Sequence, residues 1–192
     1  MDEGDSKTAR VEDHEWGCTF SKLNVEGASA QVSFALVRVE SIKQIAEQLT
    51  ERVLDTSWIM QMDRGAQRAY QTTAAETAQE LVVIFEQAAE QSAIGAEFGE
   101  MMVSIGSSRA LQVLFDHIVV PVAELWKPQK KQNEGFDFHT VCPDDLINFG
   151  EAKFSSSSSP HGNAIDQSRD FVSAGKHLRD WPHLQSLVSE AA

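Results

Sequence analysis

With two cysteines among 192 residues, the chain has no disulfide framework and no zinc knuckle, because Cys18 and Cys142 lie far apart and neither has a CxxC neighbour. Both read as buried free thiols. Also missing is any apolar run long enough to span a bilayer, and the first fifteen residues are acidic and polar, without the basic-then-apolar order of a secretory signal. The expectation is a cytoplasmic protein. Internal repeats are absent as well. Positive charge is scarce: 16 Lys and Arg stand against 29 Asp and Glu, a net charge of -13, which opposes holding nucleic acid by broad phosphate neutralisation. The deficit is uneven, with 8 basic against 18 acidic residues in 1–100 and 8 against 11 in 101–192. In the second half Lys127, Lys130, Lys131, Arg169, Lys176 and Arg179 are candidates for a local phosphate track.

What is present describes a globular domain: 42% hydrophobic and 23% charged residues suit one main α/β core with a folded extension. Val32, Phe34, Leu36 and Val37 have the pattern of a half-buried strand. Ser41 and Gln44 have capping-box spacing, and Ile42, Ile45, Ala46, Leu49 and Val53 recur as a core-facing helical stripe. Thr73 to Ala93 predicts a second helix, and a third from about Glu97 places Phe98, Met101, Met102 and Ile105 on one side. Leu111 to Trp126 is helical in period, with Pro121 kinking or ending it, and a polar loop follows from Lys127 to Gly135. Serines 155–159, then Pro160 and Gly162, predict a mobile loop, and a last helix is expected over roughly 164–178. The organisation expected is an N-terminal α+β extension over 1–93, suited to docking a partner, and a catalytic core over 94–192.

Between the loop and the serine run lie two extended stretches, Phe136 to Cys142 and Leu146 to Phe154, separated by Pro143, Asp144 and Asp145, a strong turn signal. In a hairpin turning about Asp144, positions 137 and 151 are opposite one another and share a face. Glu151 and Lys153 are two apart on one strand, so alternation puts both on that face. Asp137, Glu151 and Lys153 therefore converge. Two opposed carboxylates repel, and a hard divalent cation, Mg2+ first and Mn2+ second, keeps both ionised. An ammonium beside such a pair steadies an attacking hydroxide or a pentavalent phosphorus, so the chemistry indicated is phosphodiester hydrolysis.

At these positions the sequence resembles the PD-(D/E)XK nuclease superfamily, whose hallmark is an Asp on one strand and Glu-x-Lys on the next. Here Asp137 follows Gly135 and Phe136, and Glu151, Ala152 and Lys153 follow Phe149 and Gly150. The resemblance implies a restriction-endonuclease-like fold, a central mixed sheet flanked by helices. It also implies a metal held by Asp137, Glu151 and the backbone carbonyl of Ala152, with a further carboxylate from a preceding helix. Glu100, after Phe98 and Gly99, matches that position, with Glu97 as the second choice. A following helix supplies Gln167; the subgroup that has Gln-x-x-x-Tyr shows Tyr where this chain has Phe171. The resemblance covers about residues 95–180. The segment 150–154, with the upstream Gly-Glu helix, is also similar to the nuclease subunit of the Hachiman anti-phage defence system, which implies nucleic acid, DNA first, as substrate and a helicase-type protein partner.

Other readings compete. Glu-x-Lys on a strand is often a solvated salt-bridging face. Glu100 and Gln167 equally suit exposed helix positions. His139 shares the parity of Asp137 but suits a hydrogen-bonded structural role, and His161 suits an exposed loop. Asp144 belongs to the turn apex. The rival function is a non-catalytic acidic module that binds a protein partner.

Overall fold

In a computed structural model that describes residues 10–29, 31–126, 135–157 and 159–188, the chain begins with a three-stranded antiparallel sheet. Its strands are β1 (Arg10–Asp13), β2 (Cys18–Leu23) and β3 (Phe34–Val39). The β1–β2 turn takes a left-handed residue at Gly17, φ 58°, and its carbonyl accepts from the Glu40 and Ser41 amides. A Cβ there would lie 2.6 Å from the Gln44 side-chain oxygen, so only glycine allows the turn to press on the first helix. From the sequence the residues before this turn suggest only a polar start, and β1 is an addition to it. On β3 the expected half-burial is reduced: Val37 and Val39 pack on the core, whereas Phe34 and Leu36 are exposed, because helices cover one face of the sheet only.

Helix α1 (Ile42–Leu54) starts at Ser41, whose hydroxyl accepts from the Gln44 amide, and buries Ile45, Ala46, Leu49 and Val53 as the stripe predicts. A short α2 (Ser57–Met60) precedes α3 (Arg64–Gln91), which is capped by Asp63 accepting from Gly65 and Ala66. Helix α3 opens nine residues before the expected Thr73, over a polar stretch whose buried stripe begins only at Ala74. Helix α4 (Ala96–Phe115) buries Phe98, Met101 and Ile105. It ends in left-handed Asp116, and the chain then pairs as β4 (Ile118–Val119) before a single turn, α5 (Ala123–Trp126). The expected helix across 111–126 is thus replaced by a helix end, a strand and a turn. Pairing of Ile118 with Val141 and Val119 with Thr140 overrides the local period.

Strands β5 (Phe138–Val141) and β6 (Ile147–Gly150) form the predicted hairpin, Phe138 opposite Gly150 and Val141 opposite Ile147, and with β4 they make a second three-stranded antiparallel sheet. Its turn is a three-residue loop closed by left-handed Asp145. Both sheets are antiparallel among the described residues, where a mixed sheet was expected. The fold they share with that expectation is the coarser one, α and β elements intermingled.

Instead of one last helix there are two, α6 (His161–Ser173) and α7 (His177–Val188). Gly175, φ 66°, donates to the Val172 carbonyl and Lys176 to that of Phe171, a Schellman stop that ends α6. One core joins the first sheet to α1, α3 and α4, with Trp16, Phe20, Leu49, Phe85 and Phe98 buried in it. It draws on both sides of position 93. A second gathers Met62, Trp126, Val141, Leu184 and Leu187. No described helix is long and apolar enough to cross a membrane.

A candidate active site at the hairpin edge

Asp137 immediately precedes β5, and its amide donates to the Gly150 carbonyl at 2.9 Å, one residue out of step with the Phe138–Gly150 pairing. The offset has the form of a bulge, which bends the strand and re-aims one side chain. The Asp137 carboxylate is thereby brought to the other arm, where the Ala152 amide donates to Oδ2 at 2.7 Å. Its own carbonyl accepts from the Ala123 amide and the Ser104 hydroxyl, each at 3.4 Å, so α4 and α5 fix its backbone. Two glycines set the approach. A Cβ on Gly150 would lie 2.1 Å from the Phe138 ring, and one on Gly99 would lie 2.3 Å from Phe154. Phe154 therefore sits directly on α4 beside Glu100, closing the hairpin edge against the helix.

Glu151 and Lys153 form an ion pair, Nζ to Oε1 at 2.7 Å, in which the Glu151 side chain is 1% and that of Lys153 26% exposed. Glu151 Oε2 is buried without a hydrogen-bond partner among the described residues. Burial, with the facing charge of Asp137 added, overcomes the opposing effect of Lys153 and raises the Glu151 carboxyl to about 7. Burial acts to lower the Lys153 ammonium, but the bond from Glu151 and the charges of Glu151, Asp137 and Glu100 outweigh it, and its pKa is raised. Asp137, Glu151, Lys153 and Glu100 thus share one electrostatic environment.

Next to them is a cavity of about 240 Å³ whose walls include Glu97, Glu100, Glu124, Asp137 and Ala152. Both glutamates weighed for the helix before the hairpin line it, one helical turn apart on α4. Glu124 was not anticipated: it enters on the single turn α5, in a stretch whose periodicity read as part of a longer helix. Gln167 is half-buried on α6 but neither lines this cavity nor hydrogen bonds to Asp137, Glu151 or Lys153 among the described residues.

His139 turns away from Asp137 despite its parity. It is fully buried, tilted against Trp126 and edge-on to Phe149, with Nε2 3.3 Å from Asp180 of α7. The irregular pairing at Asp137 accounts for the failure of simple alternation there. His161 is exposed at the start of α6, and Asp144 is exposed in the hairpin turn. Of the suggested phosphate track, Lys127, Lys130 and Lys131 lie outside the described residues, Arg169 is paired with Asp166, and Lys176 lies over the Phe171 ring. Within the serine run Ser155 is half-buried and Ser156, Ser157 and Ser159 are exposed, while Ser158 lies outside the described residues.

As donors for a hard cation the oxygens of Asp137, Glu151, Glu100 and the Ala152 carbonyl have the right chemistry, and the Glu151 carboxyl, raised to about 7 beside Asp137, is a buried acid that keeps a proton or takes a positive partner in its place. Their present spacing is open: among the described residues no three His, Cys, Asp or Glu are grouped closely enough to hold a metal ion. Compared with protein-family models, curated proteins and solved structures, the chain has no significant match in any of the three.

Proposed function

We propose that this chain is a cytoplasmic, metal-dependent nuclease of the PD-(D/E)XK kind, with a restriction-endonuclease-like core, which hydrolyses phosphodiester bonds of nucleic acid, DNA first. One observation carries the reading. A buried carboxyl, Glu151, lies against a second acid, Asp137, beside an ammonium, Lys153, and Asp137 is itself on the wall of an acid-lined cavity. A merely solvated salt-bridging face would not bury its glutamate or set it against a second acid.

In this proposal Asp137, Glu151, Glu100 and the Ala152 carbonyl hold Mg2+, or Mn2+ in its place, which when bound polarises the phosphoryl oxygen and acidifies a water. Glu151, whose carboxyl is raised to about 7 by burial and Asp137, would hold the cation in its ionised form, so its affinity for the cation would rise with pH. Lys153, held beside the site by its bond to Glu151 Oε1, would donate to the attacking water or to a non-bridging oxygen as charge develops there. The fixed backbone of Asp137 and the Phe154 contact on α4 keep these groups in register. The net charge of -13 opposes unaided approach to DNA, so a helicase-type partner, docked on the N-terminal region in an anti-phage defence complex, delivers the strand.

A second reading, an acidic module that binds a protein partner without catalysis, draws on the absence of a three-ligand group among the described residues. The two part in one experiment. Magnesium is titrated calorimetrically into wild type and Glu151→Gln, and plasmid is incubated with each in Mg2+ or EDTA, alone and with the partner. The nuclease reading expects weaker Mg2+ binding and no cleavage in Glu151→Gln; equal affinity in the two proteins would sink it.

A further inference from the structure

Helix α7 carries a buried acid in its first turn. Asp180 is 3% exposed, and a carboxylate taken that far out of water is tolerated only where donors meet it. They come from the hairpin. One oxygen, Oδ2, accepts from the Phe136 amide at 3.2 Å and lies 3.3 Å from His139 Nε2. Residues 136 and 139 stand on either side of Asp137 and Phe138, so a single atom of α7 meets the β5 arm at two points that bracket the irregular pairing at Asp137.

The bracket has work that the strand ladder does not do. Cross-strand pairing begins with Phe138 opposite Gly150, and the Phe136 amide, two residues earlier, is met by α7. Without that oxygen a buried donor would be left at the entry to the strand. The Phe136 ring is fixed too, edge-on to Phe171 of α6 and tilted against Phe149 of β6. Helix α7 is itself seated: Leu184 and Leu187 enter the second core, and His183 Nδ1 is hydrogen-bonded to the Tyr70 hydroxyl of α3. Asp137 is one planar peptide beyond the point so held, and its carboxylate reaches the Ala152 amide at 2.7 Å.

We propose that Asp180 is a positioning residue for Asp137: by tying residues 136 and 139 to α7 it holds the bulge that turns the Asp137 carboxylate toward Ala152. Its consequence for catalysis rests on the nuclease reading, whereas the positioning itself can be read without metal or substrate. Hydrogen exchange at single amides is therefore followed by NMR on the full metal-free chain, and cleavage at saturating Mg2+ is measured beside it.

Asp180→Ala should speed exchange at Phe136 and Ala152 by at least about tenfold relative to the amides of α1. Asp13→Ala, which breaks the ion pair with Arg109 at the other sheet, should leave that ratio unchanged. Asp180→Asn, which keeps an oxygen in place, should stay within about threefold of wild type. In cleavage Asp180→Ala should lower kcat by about 10–100-fold with KM little changed, and Asp180→Asn should restore most of it. Unchanged exchange at Ala152 in Asp180→Ala, or equal acceleration in Asp180→Asn, would overturn the role. A wild type that cleaves nothing would overturn the nuclease reading and not the positioning, which the exchange rates decide. Should Asp180→Ala fail to fold, wild-type exchange in rising denaturant decides instead. Phe136 and Ala152 should then lose protection in the same step as the Leu184 amide of α7, and an Ala152 amide that outlasts α7 would overturn the assignment.

Discussion

One carboxylate–cation pair starts from the N-terminal sheet and another stands just past the end of β6, and the two are built differently. In the N-terminal sheet Asp13, on β1, receives the Arg109 Nε and Nη2 at 3.0 and 2.7 Å on one oxygen and the Trp16 amide at 3.2 Å on the other. Both oxygens are satisfied, and the pair fastens α4 to the sheet. At the hairpin edge Glu151 is more deeply buried than Asp13, its side chain 1% exposed against 9%, yet only Oε1 has a cationic donor, and the carboxyl's other neighbour is a second acid, Asp137. A satisfied carboxylate has no use for a ligand. A buried one beside a second acid is costly unless protonated or met by a cation. The difference lies in how many donors the surrounding elements supply, not in the residue types.

That contrast can be broken from either side. The largest effect is expected at the hairpin: under the nuclease reading Lys153→Met lowers the cleavage rate by about 10²–10³-fold, because the ammonium acts on developing charge, while Mg2+ affinity is retained. Single-turnover cleavage paired with metal titration measures both, and a variant that loses metal but keeps its rate would contradict the assigned role. At the N-terminal pair the effect is on stability alone. Asp13→Ala should cost about 2 kcal/mol, discounted from a fully buried pair because Arg109 remains 22% exposed, as read by urea denaturation. If cleavage per folded molecule also falls, the two pairs are coupled and the contrast between them fails.

A subtler effect separates the pairs by pH. The Glu151 carboxyl titrates at about 7 in the folded chain against its ordinary 4.5, so between those values the folded state retains a proton that the unfolded state has lost. Stability without metal should therefore fall as pH rises through roughly 4.5 to 7, and the loss should be complete above the folded value. In Glu151→Gln this component disappears. Denaturation midpoints in EDTA at pH 5 and pH 8 should show the variant gaining on wild type at the higher pH, by an amount on the order of 2 kcal/mol. A gap that does not change with pH would show that Glu151 is not held protonated by its surroundings. The smallest effect is reserved for the exposed pair: Arg169→Ala, which loses only its bond to Asp166, should stay within about half a kcal/mol of wild type in the same measurement.

Legibility followed the range of the interactions. The buried stripe of α1 and its Ser41 cap were readable because periodicity and capping involve residues within two turns. The hairpin register was readable because a short turn at 143–145 fixes it and alternation carries it outward. The Schellman stop at Gly175 is present in the sequence only as a lone glycine, and it takes its meaning from the register of Val172 and Phe171 beneath it. The strand at Ile118 and Val119 had no local signature, because its partners stand more than twenty residues away. The same distance hid Glu124, which reaches the cavity only after β4 and α5 have replaced the helix that periodicity suggested.

By itself, then, the sequence determined the local pieces: which residues face inward along α1, where the hairpin turns, and that Asp137, Glu151 and Lys153 belong to its two arms near one another. The tertiary structure decided their physical state. Desolvation and charge coupling are sums over everything packed nearby, and for Glu151 those neighbours come from both arms of the hairpin, with Glu100 of α4 acting through Lys153. Whether a glutamate in such a motif is a solvated charge or a protonated, half-satisfied acid depends on the donors and the water that packing leaves beside it, and no local pattern in the chain encodes that.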